Sequence, residues 1–231
     1  MIISILNEKG GVGKTTLTTN LARAFHLRNQ KVLLVDSDPQ GSARDWHVNG
    51  NGEMLEVVGL DRPTLDKDII KFKSRYDMIF IDGAPQITEM VVKAILCSDI
   101  VLIPVQPSPY DIWASKSLVD LIKQRQQITG GLPKAAFVIS RQIVKTRMGN
   151  EVRAVLEDYD LPVFSYGTCQ RIVYAETAAK GNTVLEGDDD SAEKELMLIA
   201  DEFEYFSGMK KFDNFSSPLF SRYDSQKSAF E

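Results

Sequence analysis

The stretch Asn7-Glu8-Lys9-Gly10-Gly11-Val12-Gly13-Lys14-Thr15-Thr16 follows a short apolar run, Ile2 to Leu6. It precedes a segment in which Leu17, Leu21, Ala24 and Phe25 recur at helical spacing. A glycine-rich turn between a strand and a helix N-terminus is a cradle for phosphate. Gly10, Gly11 and Gly13 can take positive φ and let the backbone approach an anion, while free N–H groups and the dipole of the next helix favour negative charge. Lys14 is then placed to contact β- and γ-phosphates, and the Thr15 hydroxyl to hold Mg²⁺.

The strict pattern G-x-x-x-x-G-K-[ST] fails, because Glu8 stands at its first glycine position. An extra lysine, Lys9, stands directly before the glycine pair instead. This resembles the deviant Walker A motif of the ParA/MinD family of ATPases. The resemblance implies ATP and Mg²⁺ as cofactors, with Gly10, Gly11, Val12, Gly13, Lys14, Thr15 and Thr16 around the nucleotide. It also implies that Lys9 reaches across a dimer to the nucleotide of the other subunit, so that dimerisation depends on ATP. A solvated lysine on the loop is the plain alternative.

With 231 residues, 43% of them hydrophobic, the chain can bury one substantial core and fits a single α/β domain. No apolar run approaches the ~20 residues of a membrane span, and the N-terminus enters a strand without a charged leader. A cytoplasmic protein is expected. Cys97 and Cys169 lie far apart with no C-x-x-C partner, which argues against a disulfide framework or a zinc site. The net charge of −5 is unevenly spread: residues 181–206 carry nine acidic side chains against Lys194 alone, so the rest of the chain sums to +3. A basic patch outside the acidic stretch is therefore compatible with the total.

Apolar runs at Ile2 to Leu6, Val32 to Val35, Met78 to Ile81, Ile100 to Val105 and Ala136 to Ile139 predict strands buried on both faces. Between them, helical patterns cover Leu17 to Leu27, then Leu65, Ile69 and Phe72, and then Ile87, Met90, Val91 and Ile95. Two more run from Ile112 to Ile128 and through Met148, Val152, Val155 and Tyr159. Strand and helix in alternation predict an α/β fold, a doubly wound and mostly parallel sheet flanked by helices. Asp190 and Glu193, at capping-box spacing, open a last helix through Leu196, Ile199, Ala200 and Phe203. Residues 1–206 are expected to form the P-loop ATPase domain. Residues 207–231, with six serines and Pro218, form a tail that is either disordered or docks on a partner.

Ligands of open parallel sheets bind beyond the carboxyl ends of the strands, so the residues at the end of each run matter most. The second run ends in Asp36-Ser37-Asp38-Pro39-Gln40 and the third in Asp82-Gly83-Ala84-Pro85. Carboxylates there, facing a phosphate loop, could serve a magnesium ion and orient an attacking water. The two segments resemble the switch I and Walker B segments of ParA-type ATPases. By that resemblance Asp38 positions the water, Asp36 supports the metal shell, and Asp82 holds Mg²⁺ through water; Thr15, Asp36 and Asp82 are the metal set, and Lys9, Lys14 and Asp38 the catalytic one. Pro104-Val-Gln-Pro-Ser-Pro-Tyr-Asp111 is a stiff loop at the same edge. It resembles the proline-rich loop of ParF-like partition ATPases, where Pro107 would border the nucleotide and the subunit interface; a plain strand-to-helix connection fits equally. Arg141 matches the family position near the adenine.

The resemblance extends over residues 1–206 and thins after Arg141. With no room for an N-terminal helix-turn-helix, the chain resembles the small ParF-like type. That implies a weak Mg²⁺-dependent ATPase of DNA partition, cytoplasmic and nucleoid-associated, whose ATP sandwich dimer binds DNA nonspecifically and answers to a ParB- or ParG-like centromere-binding protein. Higher-order polymers are left open. The candidate DNA surface is Lys145, Arg147, Arg153, Arg171 and Lys180, although residues 141–180 hold six basic against five acidic side chains, which is also ordinary surface charge. A MinD-like membrane-associated positioning ATPase is the alternative, but Asp213 and Pro218 interrupt the basic-apolar pattern of Lys210, Lys211, Phe212 and Phe215. An iron–sulfur reductase resembling the nitrogenase iron protein needs paired cysteines that Cys97 and Cys169 do not supply.

Overall fold

The apolar runs are covered from both sides. The computed structural model describes residues 1–85, 89–143 and 148–210, with 148–151 described by backbone alone. Lys145, Arg147, Ile87 and the tail from Lys211 onward, all part of the sequence-based expectations, lie outside the described residues. Among those described, six parallel strands form one sheet: β1 (Ile2–Ile5), β2 (Val32–Asp36), β3 (Glu56–Gly59), β4 (Met78–Asp82), β5 (Ile100–Val105) and β6 (Lys134–Ile139). Their order across the sheet is β3-β2-β4-β1-β5-β6. The chain moves from β1 outward to β2 and β3, returns to β4, then crosses β1 to reach β5 and β6. The order therefore reverses at β1, and a crevice opens beyond its carboxyl end.

Strand side chains alternate between faces, and two helical layers take one set each. Ile3, Ile5, Leu34, Phe80 and Leu102 pack with Leu21 and Phe25 of α1 (Lys14–Leu27), Trp46 of α2 (Ser42–Asn49) and Phe203 of a long C-terminal helix. Leu33, Ile79, Ile81, Val101 and Ile103 face the other layer. That layer holds α3 (Leu65–Asp68, continued by a 3₁₀ turn, Ile69–Phe72), α4 (Glu89–Cys97), α5 (Pro109–Ala114), α6 (Lys116–Thr129) and α7 (Met148–Glu157). The chain is completed by α8 (Val173–Ala179) and α9 (Asp190–Ser207). Every residue of β1, β2, β4 and β5 is buried, as continuous apolar runs require.

Four elements depart from the expectation, one of them α8, which buries only Thr177 and so shows no apolar period. β3 pairs only with β2 and is partly exposed, so no apolar run marks it. α2 buries only Ala43 and Trp46, too few for a visible period. The helix expected through Ile112 to Ile128 is two helices: at the buried Ser115 the N–H donates to the Ile112 carbonyl three residues back at 3.0 Å, a tighter turn than the α-helix, while the hydroxyl donates to the Asp111 carbonyl at 2.9 Å. α9 starts as expected but is capped one residue earlier, by Asp189, whose carboxylate accepts from the N–H groups of Ser191 and Ala192 at 3.0 and 3.1 Å.

α9 is held by Phe203, fully buried edge-on to Phe25 with ring centroids 5.3 Å apart. Phe203→Ala is expected to destabilise the chain by about 3–5 kcal/mol through the cavity it leaves. Urea unfolding followed by circular dichroism checks this, and a loss under about 1 kcal/mol would mean that α9 is not part of the cooperative core.

Candidate active site

Beyond β1 the glycines shape a loop whose donors are left free. Gly11 and Gly13 stand at φ 76° and 92°, in the left-handed region that favours glycine. Gly10 does not take positive φ, contrary to expectation; a Cβ at Gly10 or Gly11 would meet nothing within 4 Å, so small residues here keep the loop's surface open. Gly13 caps α1 without a side-chain hydrogen bond, and no acidic residue lies in the first turn. Among the described residues, the N–H groups of residues 10–16 have no hydrogen-bonded acceptor in the chain. Seven unpartnered donors with a helix N-terminus behind them fit a polyphosphate.

Lys14 folds over this loop, its ammonium donating to the Lys9 carbonyl at 2.9 Å. Burial lowers its pKa, and Asp82 and Asp38 pull the other way. Thr15 donates its hydroxyl to Asp82 at 2.7 Å, and the Thr18 hydroxyl, 2.8 Å from the Lys14 carbonyl, shares its proton with the other Asp82 oxygen at 3.3 Å. Burial pushes the Asp82 carboxyl up to about 7, and neighbouring Asp36 adds to the rise while Thr15, Lys14 and Thr18 oppose it. The buried carboxylate therefore lacks a full counter-charge, a deficit that a divalent cation beside Thr15 would make good. Among the described residues no cluster of His, Cys, Asp or Glu could hold a metal by itself. That donor set suits Mg²⁺, which takes one or two protein oxygens and completes its octahedron with phosphate and water.

Asp36 lies across from Asp82 in the β2–β4 ladder. Its two oxygens accept from the N–H groups of Asp38 and Arg44, both at 3.0 Å, and Arg44 Nε sits 3.4 Å away. Burial raises its pKa against the pull of these groups. Expected in a metal shell, Asp36 is engaged in holding the turn after β2. Asp38, half-buried on that turn, accepts from the Gln40 N–H at 2.9 Å, while Arg44 donates to its carbonyl at 2.9 Å. Asp38 thus sits on a braced turn, near enough to Lys14 to pull the lysine's pKa upward against burial.

The loop's first residues are tied to α5 and α6. Asn7, buried, donates to the Pro104 carbonyl at 2.8 Å and accepts from the Lys9 N–H at 2.9 Å. Glu8 turns to the first turn of α6, where burial raises its pKa against the pull of Leu118 and Ser117, and its Oε1 is buried without a hydrogen-bond partner. Lys9 is partly solvated but not free: its ammonium contacts Asp111 of α5, with the lysine side chain 43% exposed and the aspartate 3%. The contact is ionic rather than a well-aligned hydrogen bond, since Asp111 Oδ1 is otherwise unpaired.

Pro107 is half-buried beside the loop, but its neighbour Gln106 makes the contact, donating to the Gly11 carbonyl at 2.9 Å. Ser140, at the end of β6, donates to the Val12 carbonyl at 2.7 Å. Arg141 follows in the left-handed region at φ 52°, exposed, with its N–H on the Thr168 hydroxyl at 3.2 Å. Of the basic residues offered for DNA, two are otherwise engaged. Arg153 donates to the carbonyls of Val163 and Ser165 at 3.1 and 3.2 Å, and Arg171 grips Glu195 at 2.6 Å with Asp189 nearby. Lys180 is exposed at the end of α8.

A phosphate cradle at the reversal point of a doubly wound parallel sheet, with strand-end carboxylates beside it, defines a P-loop nucleotide-binding protein. Residues 3–184 match the model of the CobQ/CobB/MinD/ParA nucleotide binding domain, and the chain belongs to that family, as a deviant Walker A ATPase with ATP and Mg²⁺ as cofactors. It is 29% identical over 188 residues to the maintenance of carboxysome distribution protein A of Halothiobacillus neapolitanus, covering 80% of this chain and 86% of that one. It is 26% identical over 221 residues to the chromosome-partitioning ATPase Soj of Thermus thermophilus, covering 80% and 87% of the two chains. The solved structure of the septum site-determining protein MinD of Pyrococcus horikoshii, complexed with Mg-ADP, shares the fold at a TM-score of 0.71, with 21% identity over 92% of this chain and 99% of that one. No helix among the described residues is long and apolar enough to cross a membrane.

Removing Lys9 leaves Asp111 buried beside no cation. Lys9→Ala is expected to lower the unfolding free energy of the nucleotide-free protein by about 1–2 kcal/mol, less than a fully buried pair because Lys9 is partly solvated. Adding Asp111→Asn should recover most of the loss. A double-mutant cycle in urea measures both, and additive effects would mean that the contact carries no energy.

Proposed function

We propose that this protein is an ATP-dependent partition ATPase whose ATP-bound sandwich dimer binds DNA without sequence preference and is stimulated by a ParB- or ParG-like partner. The observation that carries the reading is Lys9, a cation at the rim of the cradle held away from its own phosphate position by Asp111. Such a lysine is placed to act on a nucleotide bound by another copy. Within one subunit, the N–H groups of residues 10–16 and the Lys14 ammonium bind the phosphates, with Val12 and Thr16 lining the same turn. Thr15 and Asp82 hold Mg²⁺, which when bound neutralises phosphate charge. Asp38 orients the attacking water, and Asp36 keeps the Asp38 turn in place. Pro107 and Arg141 border the base.

DNA contact is assigned to Lys180 together with Lys145 and Arg147, as salt-sensitive backbone contacts. Arg153 and Arg171 are left out, because their guanidinium groups serve internal carbonyls and carboxylates. The reading places the protein in the cytoplasm, on the nucleoid. Similarity to a chromosome-partitioning ATPase supports a DNA cargo, and similarity to a carboxysome distribution protein supports a protein body moved on the same DNA track.

Asp38→Ala tests the reading, because it should retain ATP while hydrolysis falls about 100-fold or more. With ATP and Mg²⁺ the variant is expected to double its mass in light scattering and to bind duplex DNA at low salt, releasing it as salt rises. Lys9→Ala should stay monomeric under the same conditions. A monomeric Asp38→Ala protein that ignores DNA would sink the proposal, and ATP-dependent recruitment to anionic vesicles in place of DNA would move the output to a membrane surface.

A further inference from the structure

Free N–H groups on the inside of the phosphate loop impose a demand on its carbonyls. A trans peptide sends its C=O and the following N–H in opposite directions. If the N–H groups of Gly10, Val12, Gly13 and Lys14 converge on one anion, the carbonyls of Lys9, Gly11, Val12 and Gly13 point outward, and each needs a donor. All four have one. Lys14 Nζ donates to the Lys9 carbonyl, and the Leu17 N–H donates to that of Gly13, both at 2.9 Å. The other two donors come from strands that add nothing to the cradle itself: Gln106 Nε2 after β5, 2.9 Å from the Gly11 carbonyl, and Ser140 Oγ after β6, 2.7 Å from that of Val12. Ser140 is 4% exposed, and its own N–H is fixed on the Val105 carbonyl at 2.8 Å. The left-handed Arg141 next in the chain turns the backbone away at once.

We propose that Ser140 and Gln106 are positioning residues for nucleotide binding, each setting one peptide plane of the phosphate loop from behind. Ser140 holds the Val12–Gly13 peptide and so aims the Gly13 N–H. Gln106 holds the Gly11–Val12 peptide and aims the Val12 N–H. Neither touches the phosphate. The inference rests on the proposed nucleotide site.

The test titrates Mg²⁺ and ADP into the nucleotide-free protein by calorimetry, a ligand that requires neither hydrolysis nor a second subunit. Ser140→Ala is expected to weaken binding about 10-fold, and Gln106→Met, at a partly exposed position that tolerates the change, about 3-fold, in line with loss of one buried and one solvated hydrogen bond. The unliganded melting midpoints should stay within a degree or two of wild type. Amide proton shifts in the ADP complex supply a signature that a merely structural role would not move: Ser140→Ala should reduce the downfield shift at Gly13, and Gln106→Met that at Val12. Affinities within twofold of wild type overturn the proposal, as do losses that track a fall in the unliganded midpoint, or unchanged Gly13 and Val12 shifts. Failure of the wild-type protein to bind ADP would instead overturn the site itself.

Discussion

A loop that binds phosphate through its backbone must keep those N–H groups unpaired before the ligand arrives. This constraint reaches well beyond residues 10–16. It places glycine where φ is positive, forbids a side-chain cap on α1, and leaves outward carbonyls to be served by other parts of the chain. The reversal of strand order at β1 makes that service possible, because β1 has a neighbour of different origin on each side. On the side of β5 and β6, Gln106 and Ser140 support the loop. On the side of β4 and β2, Asp82 meets Thr15 of the loop, and Asp36 braces the turn that carries Asp38. One flank shapes the cradle, and the other furnishes its chemistry.

The second flank is electrostatically incomplete without a ligand. Asp82 and Asp36 are opposite one another on adjacent strands, both buried, and burial raises the pKa of each. Their environments are not equivalent. Asp36 takes two backbone N–H groups and has Arg44 beside it, whereas Asp82 is held by two threonine hydroxyls and a lysine that is itself partly desolvated. Bonds to backbone N–H groups fix a turn, while hydroxyls can rotate to serve a metal-bound water as readily as a carboxylate. In the proposed site, Asp82 is then the carboxylate that would change partners when Mg²⁺ binds, and Asp36 the one that would stay.

The legible parts of the sequence were those whose cause is local or periodic. Strands buried on both faces show as unbroken apolar runs, and the phosphate loop shows as glycines between strand and helix. β3 escaped because an edge strand half in solvent carries no such run, and α2 because two buried residues make no period. The strand-end aspartates stood out by position, yet their division of labour did not, since it depends on which N–H groups the fold returns to Asp36. Charge counting failed at Arg153 and Arg171, because composition cannot distinguish a guanidinium facing solvent from one closing a loop. Ser140 and Gln106 carry no motif: the contacts that give them a role join residues 128 and 95 positions apart.

The Lys9–Asp111 contact bears on how a dimeric switch would be set. In the proposed dimer, a partner's nucleotide competes with Asp111 for one ammonium, so assembly is opposed by whatever the internal pair is worth. Asp111 cannot simply be vacated, since a carboxylate 3% exposed and stripped of its cation is unfavourable. Relief requires that Asp111 find another donor or reach water, and a shift of α5 is one way to provide it. That helix is suited to moving: six residues long, it is separated from α6 by the Ser115 break, and its outer face carries the exposed Tyr110 and Trp113. In the proposed dimer, the lysine that would reach the partner's nucleotide would first have to leave Asp111, so the same contact would act as a restraint on assembly.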